Sequence, residues 1–439
     1  MKYLEYLDDF EDTPCRNKKG QFLECITSLM TKLENPHKQF KSIHVAGTNG
    51  KTSVINTLFS VLCCAGYKVG KFASRYTYEF GEQIQINGEN ITDEEIEEYL
   101  EVLKPLVKEQ QEANIYVNRR DILTSVAFMH FAKYQVDIAL VESSFGGLFD
   151  STNIISPLVS VITKIDSDAG DRLGEITEDI VGIIKQNTPV ITSNFSTSLT
   201  IITNKAIAMN ADIIRVASKN TETTHFNISK PMRLTYGGNH YFTALKGRHQ
   251  GINTAIALEC FALLNNIGFN IETNHIENGF AGVDTASMFE VMSRKPLVIF
   301  DSASNLSGLK ALMQNVEDYF WGNIKKTVFI VVLEKSKNLD VFMAVLAKHM
   351  PRGGNIIFTN GIGSNFYLAD ELFDAYVKSD KRYSVTDYIA KRRTHSIAYC
   401  INNFPDALSG AIKEHGHDAA IMIIGGHSIY KNVKDIMDK

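Results

Sequence analysis

Short apolar runs alternate with amphipathic stretches along the first half of the chain. Runs rich in Val, Ile and Leu occur at 41–47, 67–74, 136–142 and 156–163. Each run has the length and composition of a buried strand. Residues 51–65 and the region after Thr92 instead repeat their apolar positions at helical spacing. Strands that alternate with helices in this way predict a parallel sheet covered by helices.

A capping signal marks the start of the long helix after Thr92. Thr92 is a good N-cap residue, and Glu95 follows three positions later, as a capping box requires. The pattern therefore predicts a helix that begins directly after Thr92.

The pattern changes near residue 216 and restarts after Pro296. Shorter β-rich runs within 216–245, separated by Gly237-Gly238, predict a small antiparallel meander at the edge of the sheet. After Pro296 the alternation returns with four more apolar runs, LVIFDS, TVFIVVL, GNIIFTN and AAIMIIGG. We therefore predict two α/β domains, residues 1–295 with a small β insertion and residues 296–439 with a smaller Rossmann-like sheet.

The composition narrows the class of protein. The chain has 439 residues, of which 44% are hydrophobic and 22% charged, which excludes disorder and fibrous repeats. The net charge of −5 and the lack of a long basic run argue against nucleic-acid binding, and the Lys391–Arg393 cluster is typical of a solvated helix face. No run is long enough to span a membrane.

The N-terminus and the cysteines indicate a compartment. The first 15 residues are acidic and lack the basic and apolar regions of a secretory signal. The six cysteines form no CxxC pair and no zinc-like grouping, so we expect reduced, mostly buried thiols. Together these features predict a cytoplasmic protein.

The strongest chemical signal is the segment HVAGTNGKTS at 44–53, where an apolar run meets a helical pattern. Gly47 and Gly50 would let backbone amides and the helix N-terminus face an anion. Lys51 would add a positive charge, and the Thr52 hydroxyl suits Mg²⁺. Val45 occupies the place of the first glycine in the usual P-loop pattern. The spacing nevertheless predicts a nucleotide phosphate site, against the alternative of a tight turn with an incidental lysine.

HVAGTNGKTS resembles the phosphate loop of the Mur ligase superfamily, in particular its folylpolyglutamate and dihydrofolate synthase branch. Further segments follow that family's order at 80–92, 141–155, 245–257, 301–305 and 425–430. The resemblance implies a P-loop domain followed by a Rossmann-like domain. It also implies a ligase that uses ATP and Mg²⁺ to activate a carboxylate as an acyl phosphate, which an amine, usually that of glutamate, then attacks.

The resemblance also implies roles for individual residues. Lys51 and Glu142 match the catalytic positions. The nucleotide-binding positions are Gly47, Thr48, Asn49, Gly50, Lys51, Thr52, Ser53, Asn253 and Asp301. Thr52, Ser74 and Glu142 match the magnesium positions. A plain strand-end carboxylate is the alternative for Glu142, and an N-cap for the next helix is the alternative for Asp301.

The chain departs from the family at several catalytic positions. Three family histidines are missing, because Arg75-Tyr76, Ala169 and Ser304 stand at those places. Two family arginines are replaced by Leu148 and Met288. The family also has a carbamylated lysine, and residues 175–181 contain no lysine. Arg75, Lys164, Arg172 and Arg248 are candidate substitutes, each weighed against a solvated surface charge.

Two hypotheses therefore stay open. The first is an amide-forming ligase that acts on an altered carboxylate substrate, with glutamate as one candidate amine. The second is an inactive nucleotide-binding protein whose state a protein partner reads, because a preserved phosphate loop shows binding without showing chemistry.

Overall fold

The structure is a computed structural model that describes residues 2–12, 23–166, 172–320, 327–335, 339–350, 354–379, 397–415 and 419–438. The chain divides into two compact units. The first comprises Met1–Glu222, Leu234–Thr243 and Gln250–Asp284. The second comprises Thr223–Arg233, Ala244–His249 and Thr285–Lys439. The domain boundary predicted at residue 296 stays a prediction.

The α-helices of the described residues are α1 (Lys2–Asp8), α2 (Glu24–Lys32), α3 (Lys51–Cys64), α4 (Asp93–Glu112), α5 (Arg119–Lys133), α6 (Leu173–Ile180), α7 (Ser196–Ala208), α8 (Arg248–Asn266), α9 (Thr273–Ala281), α10 (Leu306–Phe320), α11 (Leu339–His349), α12 (Ala369–Ser379), α13 (Phe404–His415) and α14 (Tyr430–Met437). Short 3-10 helices cover Pro36–Lys38, Phe80–Gln83, Ser151–Ile154, Val181–Ile183, Ser218–Asn220 and His427–Ile429.

The strands are β1 (Lys41–Ala46), β2 (Val69–Phe72), β3 (Ile84–Ile86), β4 (Glu89–Asn90), β5 (Ile138–Glu142), β6 (Val159–Ile162), β7 (Val190–Thr192), β8 (Ile213–Arg215), β9 (Thr221–Thr224), β10 (Met232–Tyr236), β11 (Asn239–Thr243), β12 (Glu290–Arg294), β13 (Leu297–Asp301), β14 (Thr327–Val331), β15 (Asn355–Thr359), β16 (Ile397–Ile401) and β17 (Ala420–Ile424).

The first unit is built on an eight-stranded sheet in the order β4-β3-β2-β5-β1-β6-β7-β8. The neighbouring strands in the series β2-β5-β1-β6-β7-β8 pair in parallel. Strands β3 and β4 form an antiparallel edge next to β2. In the centre, His44 of β1 lies opposite Val141 of β5 and Ser160 of β6. All five residues of β5 are buried, as expected for a strand covered on both faces. The predicted parallel sheet is confirmed.

Helices cover both faces of this sheet. One hydrophobic core joins residues of α2, α4 and α5 to the sheet, and a second joins α3, α8 and α9 to its other face. The predicted cap of α4 is also present, because the Glu95 amide donates to Thr92 Oγ1 at 3.2 Å and the Thr92 amide donates to Glu95 Oε2 at 3.0 Å. The carboxyl ends of β1, β2 and β5 therefore lie at one edge of a rigid, helix-covered sheet.

The second unit contains a six-stranded sheet in the order β12-β13-β17-β14-β15-β16. Its strands are parallel except for β12, which pairs antiparallel with β13. Residues of α10, α11 and α12 pack on one face, and residues of α13 and α14 on the other. This arrangement confirms the predicted smaller Rossmann-like sheet.

A separate three-stranded sheet in the order β11-β10-β9 confirms a small β insertion, with one correction. The HFNIS segment at 225–229 is not a strand, and the preceding segment Thr221–Thr224 pairs instead. His225 has a left-handed backbone with φ of 63°, which ends the extended conformation there.

Two expectations from the sequence concern the chain as a whole. Among the described helices, none is both long and apolar enough to cross a membrane. The cysteines in the described ranges, Cys25, Cys63, Cys64, Cys260 and Cys400, are all free thiols. The expectation that most are buried is wrong for these five, because only Cys25 and Cys260 are buried. Cys15 and the Lys391–Arg393 cluster lie outside the described residues.

Candidate nucleotide and metal site

The phosphate loop, residues 47–50, connects β1 to the N-terminus of α3. Gly47 has φ of 143° and Gly50 has φ of 90°, both in the region that disfavours side chains. A Cβ atom on Gly47 would lie 2.1 Å from Thr163 Oγ1, and one on Gly50 would lie 2.6 Å from Asn253 Oδ1. Both glycines are therefore required by backbone conformation and by close neighbours.

The phosphate loop is fixed by the segment that follows β6. The amides of Thr48 and Asn49 donate to the Lys164 carbonyl at 3.0 and 3.1 Å. Thr48 Oγ1 donates to the Asp166 carbonyl and accepts from the Asp166 amide, both at 3.1 Å. The first amides of α3, which begins at Lys51, lie at the positive end of the helix dipole. The loop thus holds a helix N-terminus in place for an anion.

Lys51 lies half-buried at the first position of α3. Its Nζ donates to the Gly47 carbonyl at 2.8 Å, so the side chain folds back over the phosphate loop. Burial lowers the pKa of the Lys51 ammonium, while the carboxylates of Glu142 and Asp150 act in the opposite direction. The ammonium therefore lies in the combined field of the loop and of both carboxylates.

Glu142 and Ser74 meet at the carboxyl ends of β5 and β2. Glu142 is only 2% exposed, and its Oε1 accepts a hydrogen bond of 2.7 Å from Ser74 Oγ. Among the described residues, Glu142 Oε2 has no hydrogen-bond partner although it is buried. An unsatisfied buried carboxylate oxygen is costly unless a further ligand takes it up. The structure thus brings together two of the three residues predicted to hold magnesium.

These donors fit a magnesium ion. Mg²⁺ prefers carboxylate and hydroxyl oxygens and retains several waters, so it does not need a closed cage of protein ligands. The described residues contain no group of three or more His, Cys, Asp and Glu side chains that could form such a cage. Thr52, the third predicted ligand, is exposed on the first turn of α3. An open site with one carboxylate and hydroxyls is therefore the arrangement present.

Arg120, which no motif in the sequence indicates as part of the site, is 3% exposed on α5. Its guanidinium carbon lies 3.9 Å from the centre of the Phe72 ring. Nη2 donates to the Glu142 carbonyl at 2.9 Å, and Nη1 donates to the Ala73 carbonyl at 3.4 Å. Arg120 thus links the ends of β2 and β5 and fixes the backbone that carries Ser74 and Glu142.

Asp150 is a second residue of the site that no motif in the sequence indicates. It is 1% exposed, and its Oδ2 accepts from the amides of Ser144 and Phe145 at 2.8 and 2.9 Å. Burial acts to raise the pKa of Asp150, but Arg120 and hydrogen bonds from Thr152 and Phe145 outweigh it, so the pKa lies below its ordinary value. Asp150 is therefore an anion that balances the Arg120 charge at this edge.

Asn253 is buried on α8, directly against the phosphate loop. Its Nδ2 donates to Gln250 Oε1 at 2.9 Å, which orients the amide toward Gly50. Ser53 lies buried in the first turn of α3. The predicted roles of Asn253 with adenine and of Ser53 with phosphate stay predictions, but both residues lie at the loop.

Asp301 belongs to the second unit, at the end of β13. Its Oδ1 accepts from the Ala303 amide at 2.9 Å and its Oδ2 from the Phe289 amide at 3.0 Å. Burial raises the pKa of this carboxyl to about 7. The alternative of a helix N-cap is wrong, because Asn305 Oδ1 accepts from the Gly308 amide and caps α10. The predicted contact of Asp301 with a nucleotide stays a prediction.

Three of the four candidate substitute cations are engaged elsewhere. Lys164 pairs with Asp166 at 3.0 Å, Arg172 with Glu175 at 3.0 Å, and Arg248 with Asp318 at 2.7 Å. Arg75 is exposed next to Ser74. Asp168 and Ala169 lie outside the described residues.

No protein-family model matches the chain. It is 29% identical over 379 residues to a dihydrofolate synthase/folylpolyglutamate synthase of Bacillus subtilis, covering 81% of this chain and 85% of that one. It is 29% identical over 342 residues to a folylpolyglutamate synthase of Lacticaseibacillus casei, covering 73% and 78%. The folylpolyglutamate synthase of Mycobacterium tuberculosis, solved with ADP and AMPPCP, superposes with a TM-score of 0.83 at 23% identity, covering 100% of this chain and 98% of that one. The resemblance predicted from the motifs is confirmed.

Proposed function

We propose that this chain, a homologue of the folylpolyglutamate and dihydrofolate synthases of the Mur ligase superfamily, is an ATP-dependent ligase that joins a carboxylate to an amine. The observation that supports it best is Glu142, whose buried, unpartnered Oε2 lies beside Ser74 at the sheet edge that carries the phosphate loop. Buried carboxylate oxygens usually have a hydrogen-bond partner or another ligand. A site built to receive a cation with nucleotide phosphates leaves it open.

The first chemical step transfers a phosphoryl group. A carboxylate oxygen of the substrate attacks the terminal phosphorus of ATP, and the bond between that phosphorus and the bridging oxygen breaks. The products are an acyl phosphate and ADP, which is the leaving group. Catalysis of such transfers rests mainly on positioning and on charge stabilisation. The amides at the start of α3 would hold the phosphates, and Lys51 would exchange its bond to the Gly47 carbonyl for a phosphate oxygen.

Thr52, Ser74 and Glu142 are the residues that would hold Mg²⁺. The ion, when bound, neutralises charge on the phosphate oxygens. Arg120 is a positioning residue in this proposal, because it contacts the backbone carbonyl of Glu142 and leaves the carboxylate free.

In the second step the amine attacks the acyl carbon, the carbon–oxygen bond to phosphate breaks, and the amine proton passes to solvent or phosphate. Glutamate is the first amine to test, and folates and dihydropteroate are the first carboxylates, since the relatives are named for folate synthesis. The chain departs from the family pattern at Tyr76 and Leu148, whose side chains are 45% and 43% exposed. Because of these two changes we propose that the carboxylate substrate is altered. We place this activity in the cytoplasm, which suits the free thiols.

The test measures phosphate release and thermal unfolding of the full chain with MgATP and each pair of substrates. Glu142→Gln and Lys51→Ala should lower substrate-dependent phosphate release roughly 100- to 1000-fold, as loss of one charge-stabilising group typically does. The exposed residues Glu89 and Lys348 supply matched controls, Glu89→Gln and Lys348→Ala, which should leave release unchanged.

The outcomes separate the two hypotheses from the sequence. Release that requires both organic substrates, and that falls in the Glu142 and Lys51 variants only, supports the ligase. Stabilisation by MgATP that is lost in Lys51→Ala, with no release for any pair of substrates, would replace the ligase by the inactive nucleotide-binding protein. The absence of both effects would overturn nucleotide binding.

A further inference from the structure

A cavity of about 350 Å³ lies within the second unit. Its wall is formed by segment 228–231, segment 244–246 and β12, with apolar side chains that include Ile228, Phe289 and Val291. Three cationic side chains, Lys230, Lys246 and Arg294, share the same wall. We refer to this space as the cationic cavity.

The cations of the cavity are not paired with carboxylates. Arg294 Nη1 donates to Ser229 Oγ at 2.6 Å, and Lys246 Nζ donates to the backbone carbonyl of Lys230 at 3.2 Å. Neither of these partners is charged. Within the described part of the chain, no ion pair joins Lys230, Lys246 or Arg294 to an Asp or Glu side chain. Like charges held close together repel one another unless an anion joins them.

The one carboxylate on the cavity wall is already engaged. Glu290 Oε2 accepts from the Ser287 amide at 2.9 Å, and Oε1 accepts from Tyr430 Oη at 3.1 Å. These bonds hold the carboxylate to the backbone and to α14. The wall therefore keeps an excess of two positive charges.

Arg248, which lies near the cavity cations in the sequence, differs from them because it has a carboxylate partner. Arg248, two residues after Lys246, forms a bidentate pair with Asp318, with Nε–Oδ2 at 2.7 Å and Nη2–Oδ1 at 2.9 Å. The fold thus supplies a carboxylate to Arg248 and none to the cavity. Burial lowers the pKa of the Lys246 ammonium, and Arg294 lowers it further. The charge of a bound anion would act in the opposite direction and favour the charged ammonium.

The position of Lys246 is fixed by its neighbour. Gly247 has φ of 108°, and a Cβ there would lie 2.1 Å from Asn315 Oδ1 of α10. The close approach to Asn315, together with the Arg248–Asp318 pair on the same helix, holds the 244–248 backbone in place. Lys246 is therefore presented to the cavity by a rigid segment, which reduces the entropy lost when a ligand binds.

We propose that the cationic cavity binds a small organic anion, whose carboxylate or phosphate groups contact Lys230, Lys246 and Arg294 and whose apolar part packs against Ile228 and Phe289. The volume is that of a small-molecule site. Arginine and lysine together recognise both carboxylates and phosphates. The site shares no residue with the phosphate loop, although Met288, which stands where the family has an arginine, also lines the cavity.

Isothermal titration of the full chain with citrate and, separately, with inorganic pyrophosphate tests the proposal. Both are titrated into the Lys51→Ala variant, so that the phosphate loop contributes less to the signal. In the Lys51→Ala background, the further substitutions Lys246→Met and Arg294→Gln should raise the Kd of at least one probe tenfold or more. Each lost charged hydrogen bond is typically worth about a factor of ten in Kd. Lys246→Arg should keep the affinity within about threefold, since the charge is retained.

The matched control carries Lys219→Met and Arg215→Gln, which remove the same charges from exposed positions outside the cavity. Tighter binding of citrate assigns the cavity to carboxylates, and tighter binding of pyrophosphate assigns it to phosphates. The proposal is overturned if neither probe binds, or if the cavity and control variants weaken binding equally. Failure of the ligase leaves this test intact, because no nucleotide or turnover enters it.

Discussion

Replacing Gly50 by alanine tests the geometry of the phosphate loop. Gly50 has φ of 90°, and a Cβ there would lie 2.6 Å from Asn253 Oδ1. The substitution therefore adds backbone strain and a steric clash. Gly66, at the other end of α3, offers a matched control because its φ is 84° and a Cβ there would meet nothing within 4 Å.

The two effects can be separated by size. A left-handed backbone costs a residue with a Cβ about 1–2 kcal/mol, which is the loss of unfolding free energy expected for Gly66→Ala. Overpacking of a tight site adds roughly 1–3 kcal/mol, so Gly50→Ala should lose about 2–5 kcal/mol. Asn253 cannot easily move away, because its amide is hydrogen-bonded to Gln250.

Urea unfolding of both variants, and of Gly50→Ala combined with Asn253→Ala, gives the answer. The second substitution should return the clash energy and leave the backbone strain. MgATP affinity, measured alongside, should fall at least tenfold in Gly50→Ala and stay unchanged in Gly66→Ala. Equal losses of stability in Gly50→Ala and Gly66→Ala, or no recovery in the double variant, would refute the packing of Asn253 against the loop.

Two further predictions concern buried charges beside the site. Arg120→Met removes two hydrogen bonds to backbone carbonyls and the cation that lowers the pKa of Asp150, and it should cost about 3–5 kcal/mol of unfolding free energy, because a hydrogen bond to a charged group is worth about 1.5–3 kcal/mol. Arg119→Met removes an exposed pair with Asp8 and should cost under about 1 kcal/mol; urea unfolding that shows equal losses would contradict this. Burial raises the pKa of Asp121 to about 6 from 3.8, so the folded state holds this proton where the unfolded state has lost it, and this carboxyl should lower stability by about 2 kcal/mol as the pH rises from 4 to 6. Asp121→Asn should remove that slope, and unfolding midpoints of both proteins from pH 4 to 8 would show an unchanged slope if the reasoning is wrong.

Much of the fold could be predicted because long apolar runs in this chain are also buried strands. The runs at 136–142 and 156–163 contain β5 (Ile138–Glu142) and β6 (Val159–Ile162), and both faces of these strands are covered. Short edge elements such as β3 and β4 escaped, because two or three half-exposed residues carry no periodic signal. The HFNIS segment misled because its alternation was interrupted by the left-handed His225.

Some residues of the site could be predicted from the sequence and others could not. The phosphate loop could be predicted because glycines, lysine and threonine are contiguous in the sequence and each has a local reason. Arg120 and Asp150 could not, because their meaning depends on which strands end beside them. Their local signals were available, since Asn118 caps α5 and Asp150 caps a 3-10 helix, but a cap signal does not show that a charge lies next to Glu142. Only the sheet order brings them together.

The contact between Asn253 and Gly50 also bears on how the protein emerges from the ribosome. The two residues lie roughly 200 positions apart, which corresponds to about 10–40 s of synthesis at ordinary elongation rates. Throughout that interval the nascent chain contains HVAGTNGKTS without the helix that confines its second glycine. The chain also passes between the two units five times, so the first unit is complete only once residue 284 has been made. If the loop binds a nucleotide as proposed, the complete site forms only after most of the polypeptide has been made, and a chain stalled before α8 carries an unfinished loop.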